Sequence, residues 1–256
     1  MELSGRVAVV TGAGSGIGLS MARRFATENM SVVLADVDGA SLTAAAADLR
    51  GRGAHVHAVR TDVADEAQLN ALASEAVEVF GAVHLLANNA GIASPKADVQ
   101  SFPQSTWERL VDVNLWGTLR GIRAFLPLLE AQGEGHIINT ASTAGLQASP
   151  GIAPYNVTKA AIIALSETLA AELRAKTSPI GVSVLCPGPV RTNILRADAD
   201  PEAQQVLNEH GMDPDRVAGL VAEAVSEGHF WILTHPEWED TLRQRLQAQI
   251  AGLLRP

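Results

Sequence analysis

The chain has 256 residues, of which 47% are hydrophobic, 18% charged and only 4% aromatic, with a formal charge of −9. That is material for one large α/β domain of helices packed closely on a sheet, and it argues against an aromatic-rich β-sandwich. The acidic balance works against a nucleic acid partner, because phosphate backbones are repelled; the single cysteine, Cys186, excludes an intrachain disulfide or a cysteine metal cluster and fits a reducing, cytoplasmic setting.

Short β-rich runs alternate with helical ones. "RVAVVTG" (6–12) is a compact apolar run closed by glycine, which suits a buried parallel strand, and a helix is predicted from about Ile17 to Glu28. "SVVLAD" (31–36) is a second strand, followed by an alanine-rich helix over 39–53 that stops at glycines. "HVHAVRTD" (55–62) alternates as a strand, and 66–80 repeats Leu69, Leu72, Ala73, Ala76 and Val77 at helical spacing. A fourth strand lies in "VHLLANNAG" (83–91). One long helix is predicted over Gln104–Gln132, with a kink or break near Pro127. "GHIINTAS" (135–142) is a fifth strand, a helix containing Tyr155 reaches about Lys176, and "GVSVLCPGPV" (181–190) and "HFWILTH" (229–235) supply two more strands. A final helix from Glu237 carries Trp238, Leu242, Leu246 and Ile250 on one stripe, a pattern of core or subunit packing.

This alternation predicts right-handed βαβ units, hence a single-domain, doubly wound parallel sheet of about seven strands with helices on both faces, a Rossmann-type α/β fold over 1–256. Residues 191–213 carry no strand pattern and are long for a connection, so a functional insertion that covers the substrate is expected at about 189–213. There is no basic leader with an apolar core and no run of 18 apolar residues, so neither a signal peptide nor a membrane span is expected.

"TGAGSGIG" (11–18) sits where the first strand meets the first helix. Glycines there permit a tight turn and close approach of backbone to a pyrophosphate, and the helix N-terminus offers free N–H groups to phosphates. Asp36 closes the second strand, 18 residues after Gly18, the distance expected of an acid that bonds adenosine-ribose hydroxyls. A carboxylate repels the 2′-phosphate of NADP, and neither Val37 nor Ser15 supplies a compensating positive charge. NAD is therefore the expected cofactor.

These features, together with "NNAG" (88–91), "YNVTK" (155–159) and "PGPVRT" (187–192), resemble the short-chain dehydrogenase/reductase family in order and spacing across roughly residues 5–192. Tyr155 is the only tyrosine and stands one helical turn before Lys159, so a nearby ammonium can favour its phenolate. The resemblance implies that Tyr155 exchanges a proton with a secondary alcohol or ketone, that Lys159 binds nicotinamide ribose and tunes Tyr155, that Ser142 orients the substrate oxygen, and that Asn114 interrupts the long helix and supports a water relay. It further implies cofactor contacts from Gly12, Ser15, Gly16, Ile17 and Gly18, from Asp62 and Val63 beside the adenine, from Asn89, Ala90 and Gly91, and from Pro187, Gly188, Val190 and Thr192 over the nicotinamide.

Around this centre the sequence is mostly small or apolar (Ala144, Leu146, Ile152, Val190, Ile194, Leu195), which suits a lipophilic or cyclic secondary alcohol of steroid, terpenoid or aryl carbinol type. Arg191 and Arg196 offer the alternative of an acidic group, although surface solvation is the plainer reading. The seven histidines show no metal spacing. The family resemblance also implies a homo-oligomer, a tetramer or dimer, to which Ala160, Ala164 and Ala171 would give a close-packing helix face. An NADP-linked reductase and a non-catalytic nucleotide-sensing scaffold stay open as rival readings.

Overall fold

In this computed structural model, residues 1–195 and 201–253 are described, without side chains at 201–203, 206, 241, 249 and 251–253. Seven strands form one parallel sheet in the order β3-β2-β1-β4-β5-β6-β7. They are β1 (Val7–Thr11), β2 (Ser31–Asp36), β3 (Val56–Arg60), β4 (Leu85–Asn88), β5 (Gly135–Thr140), β6 (Ile180–Cys186) and β7 (Trp231–Leu233). Every residue of β1, β4 and β5 is buried. Central parallel strands have both faces covered, which is why these runs read as continuously apolar instead of alternating.

Two layers of helices supply that cover. On one face α1 (Gly16–Thr27), α2 (Gly39–Gly51) and α9 (Pro214–Glu227) enclose a core around Met21, Phe25, Leu42, Val217 and Val221. On the other, α3 (Glu66–Phe80), α5 (Gly117–Gln132) and α7 (Ala153–Ala175) pack Leu69, Leu72, Phe125, Leu129 and Leu173. Adjacent residues of β1 split between the layers, Ala8 and Val10 to the first and Val9 to the second. Strand order reverses between β1 and β4, so the loops leaving their C-terminal ends diverge and open a crevice.

The predicted 104–132 helix is three pieces: α4 (Gln104–Leu110), a π-helical turn (Val111–Trp116), and α5. The break falls at Asn114, while Pro127 sits inside α5 without ending it. Helix α9 is an addition to the sequence reading. Its signals are an Asp213 N-cap accepting from Asp215 N–H, Pro214 in its first turn, Gly228 in the left-handed region, and Val217, Val221 and Val225 at intervals of four.

Within the expected insertion lies α8 (Pro201–His210), and a single bridge between Val190 and Met212 ties its ends together. A four-residue helix, α6 (Thr143–Leu146), follows β5. The last helix, α10 (Glu239–Leu253), starts after a 3-10 turn (Pro236–Trp238), and Leu246 and Ile250 on its predicted stripe are exposed.

Candidate active site

The loop from β1 into α1 is shaped by Gly12 (φ +66) and Gly16 (φ +53), conformations that disfavour a side chain. Space also excludes one at Gly12, where a Cβ would lie 2.9 Å from the Cα of Ala90. At Gly18 a Cβ would run into the Gly12 carbonyl, so α1 begins flush against the loop. Ser15 caps α1 through its backbone, without a side-chain bond to the first amides, and those N–H groups have no helical acceptor. Asp36 spans the neighbouring turns: Oδ2 accepts from Gly14 N–H at 2.9 Å and Oδ1 from Asp38 N–H at 3.0 Å.

The segment after β4 is fastened to β1. Thr11 Oγ1 accepts from the N–H groups of Asn89 (2.9 Å) and Ala90 (3.1 Å), and Asn89 Nδ2 donates to the Thr11 carbonyl at 3.0 Å. Two residues further, the amide side chain of fully buried Asn114 pairs with both backbone groups of Ile92: Oδ1 accepts from its N–H at 2.8 Å and Nδ2 donates to its carbonyl at 3.0 Å. Asn114 Nδ2 also reaches Thr158 Oγ1 on α7 at 3.2 Å. Gly91 is held between these groups, since a Cβ on it would meet Asn114 Oδ1 at 3.2 Å and Lys159 Nζ at 3.4 Å.

On α7, Lys159 Nζ lies 5.5 Å from the centre of the Tyr155 ring. Lys159 is only 3% exposed, and its ammonium donates to the Thr140 carbonyl at the end of β5, at 2.8 Å. Burial pushes the lysine down to about 8. It pushes the Tyr155 phenol up to about 12, against a hydrogen bond with Ser142 that draws it back. Ser142 caps α6, accepting from Ala144 N–H at 3.1 Å, and donates to the Pro187 carbonyl at 3.3 Å. Cys186 is fully buried, and burial raises its thiol to about 12, so it is an inert core residue.

A cleft of about 330 Å³ joins these parts. Of the residues singled out from sequence, Gly12, Ser15, Gly16, Ile17, Asp36, Asp62, Val63, Asn89, Ala90, Gly91, Tyr155, Lys159, Pro187 and Thr192 line it. Gly18, Asn114, Ser142, Gly188 and Val190 do not line it; Val190 is 5% exposed and belongs to the core. The structure adds Thr140, Ile92, Val113 and Arg109 to the lining. Thr140 acts through a backbone carbonyl, for which a sequence carries no side-chain signal. Arg191 pairs with Asp213 at 2.7 Å, and Arg196 falls outside the described residues. Among the described residues there is no group of three potential metal ligands, and no helix is long and apolar enough to cross a membrane.

Residues 6–203 match the sequence model of the family described as short chain dehydrogenase. The chain belongs to the short-chain dehydrogenase/reductase family. It is thus an oxidoreductase-family protein with that family's dinucleotide-binding fold. The 1-deoxy-11-beta-hydroxypentalenate dehydrogenase of Streptomyces exfoliatus is 37% identical, over 96% of this chain and 88% of that one. A family member from Burkholderia phymatum, solved in complex with NAD, superposes with a TM-score of 0.92 at 39% identity, covering 100% of this chain and 97% of that one. The apo form of LigO from Sphingobium sp. strain SYK-6 follows at 0.88 and 34%, over 99% and 91%. In this chain the crevice at the β1/β4 reversal ends in a half-buried phenol and a buried ammonium.

Proposed function

We propose that this protein is an NAD-dependent dehydrogenase that interconverts a secondary alcohol and a ketone, with a lipophilic or cyclic substrate. The observation that carries the reading is one cleft that holds the Gly12–Gly16 loop and Asp36 together with half-buried Tyr155 and buried Lys159.

The residues fit a dinucleotide. A backbone-lined loop into which no side chain projects at Gly12, followed by unpaired helix amides, suits a pyrophosphate. Asp36, Asp62 and Val63 would hold the adenosine half. Asn89–Gly91 would pass along the adenosine ribose with their backbone, and Lys159, Pro187, Gly188, Val190 and Thr192 would hold the nicotinamide half. The fixed carboxylate of Asp36 favours ribose hydroxyls over a 2′-phosphate, and the NAD complex of the Burkholderia phymatum relative agrees with that preference.

Bound NAD supplies the hydride acceptor. Tyr155 takes the proton of the substrate hydroxyl as the adjacent carbon gives up hydride, and returns that proton when a ketone is reduced. A phenol pushed up to about 12 by burial is a poor base at neutral pH, so it needs positive charge beside it. Lys159 contributes that charge, and the Thr140 carbonyl fixes where it sits. Ser142 exchanges its 3.3 Å bond to the Pro187 carbonyl for one to the substrate oxygen and steadies the charge developing there. Asn114 acts behind Lys159: its bonds to Ile92 and Thr158 position the loop and helix that frame the lysine and a water relay.

Ile92, Val113 and Ile194 give the lining an apolar side, which supports a lipophilic substrate, as does the hydroxylated compound named for the Streptomyces exfoliatus relative. The 189–213 segment covers that substrate. Exposed Ala160, Ala164 and Ala171 on α7 and exposed Leu246 and Ile250 on α10 support a homo-oligomer. Tyr155→Phe tests the assignment. It should lower turnover of a secondary alcohol about 10²–10⁴-fold, the range of general acid–base catalysis, while NAD affinity stays within threefold. Turnover near that of the parent would remove Tyr155 from the mechanism.

A further inference from the structure

His235 lies just beyond β7, 7% exposed, and it reaches the turn after β6 with both ring nitrogens. Gly188 N–H donates to Nδ1 at 3.1 Å, and Nε2 lies 3.0 Å from the Pro189 carbonyl. An amide aimed at Nδ1 requires a lone pair there, so the proton sits on Nε2 and donates to Pro189. Thr234 Oγ1, 2.6 Å from Nδ1, reinforces that tautomer as a second donor. The ring also lies close against the turn: a Cβ on Gly188 would be 2.8 Å from His235 Cγ, so glycine at 188 is what lets the imidazole come so close.

The turn is held from its other side as well. The Pro187 carbonyl accepts from Thr143 N–H at 3.0 Å and from Ser142 Oγ at 3.3 Å. The Pro189 carbonyl also accepts from Met212 N–H at 2.9 Å, the bond that closes the root of the 189–213 segment. Two prolines leave this stretch without two amide donors, so it cannot join a regular ladder beyond β6 and depends on outside partners.

We propose that His235 is a positioning residue that clamps the Pro187–Pro189 turn and with it the root of the 189–213 segment, setting the wall of the cleft where the reaction occurs. The clamp rests on the functional reading above only for its effect on NAD. The hydrogen bonds themselves do not depend on it.

His235→Leu fills the space of the ring without its polar atoms, and His235→Asn places an acceptor near the position of Nδ1. With Leu, amide hydrogen exchange of residues 188–192 in the cofactor-free protein should rise about tenfold, and the Kd for NAD should rise about tenfold, the effect of one or two ordinary hydrogen bonds. With Asn, both should stay within threefold of the parent. A residue that only fills space predicts the opposite order, Leu tolerated and Asn not. Gly188→Ala, which pushes the ring off the turn from the other side, should reproduce the Leu result and serves if the Leu variant does not fold. Unchanged exchange and NAD affinity in the Leu and Gly188→Ala variants, or an Asn variant as impaired as Leu, overturns the clamp. If the parent protein binds no NAD, the NAD-dependent reading fails, and the exchange rates still decide whether His235 holds the turn.

Discussion

Lys159 shows how much the site asks of a single side chain. A buried ammonium beside a neutral carbonyl has lost its water and, among the described residues, gained one hydrogen bond. Its proton affinity is held near 8 in the folded protein and returns to about 10.5 when the chain unfolds. For a base depressed by folding, the destabilisation is complete below the folded value and fades as pH rises toward the unfolded one, because the unfolded chain then binds the extra proton. Over that window the span is about 3 kcal/mol at roughly 1.4 kcal/mol for each unit. Lys159→Met removes the titration. Urea midpoints of the cofactor-free parent and variant at pH 7, 8, 9 and 10 should therefore differ by an amount that moves in the parent's favour as pH rises above 8. Cys186, raised by burial, is partly drawn back by the Lys159 charge, so both proteins carry Cys186→Ala to keep the thiol out of the comparison. A difference independent of pH would mean that Lys159 does not enter the folded protein at a loss.

The helices show where sequence periodicity is informative and where it is not. The spacing of Leu69, Leu72 and Ala76 gives α3, and apolar runs give the buried central strands, because burial against a sheet writes itself into side-chain pattern; β3, with no fully buried residue, shows instead as an alternation. A π-helical turn leaves no such mark: it inserts backbone without changing residue type, so 111–116 reads as helix and only the family resemblance points to Asn114. The stretch of α9 was legible in its caps and its valines, and β-branched residues tilt such a run away from a helical reading. Site groups that act through backbone, such as the Thr140 and Pro189 carbonyls, are silent in sequence for the same reason. Glycines are ambiguous in sequence and sharply different in structure. A Cβ at Gly121 on α5 would collide with Asn88 Oδ1, which is buried beside the Asn139 side chain, whereas at Gly51, the last residue of α2, it would meet nothing within 4 Å. Alanine gains up to about 1 kcal/mol over glycine in a helix, and overpacking costs about 1–3 kcal/mol. Thermal unfolding should therefore show Gly51→Ala slightly stabilised and Gly121→Ala destabilised by several degrees; equal shifts in both would contradict the close approach of α5 to β4.

At the scale of the whole molecule, the parallel sheet sends the C-terminal end of each strand to one edge, so Asp36, Asp62, Asn89–Gly91, Thr140–Ser142 and Pro187 converge although the chain spreads them over more than half its length. A ligand spanning that edge ties both halves of the sheet together and stabilises the folded state by mass action. At about 100 times its Kd the gain is about 2.7 kcal/mol, which for a domain of this size is roughly 5–10 °C in Tm. The proposed preference for NAD makes this a comparison between two ligands that differ by one phosphate. Asp36 is already committed to Gly14 N–H and Asp38 N–H, so its carboxylate stays where it is and meets the added phosphate charge directly. NAD should raise Tm by the full amount, and NADP at the same concentration by less than a third of it. Asp36→Ala should narrow that gap from both sides, losing ribose bonds to NAD and repulsion from NADP. Equal shifts with the two cofactors in the parent protein would assign Asp36 to holding the Gly14 turn alone and return the choice of cofactor to residues elsewhere in the cleft.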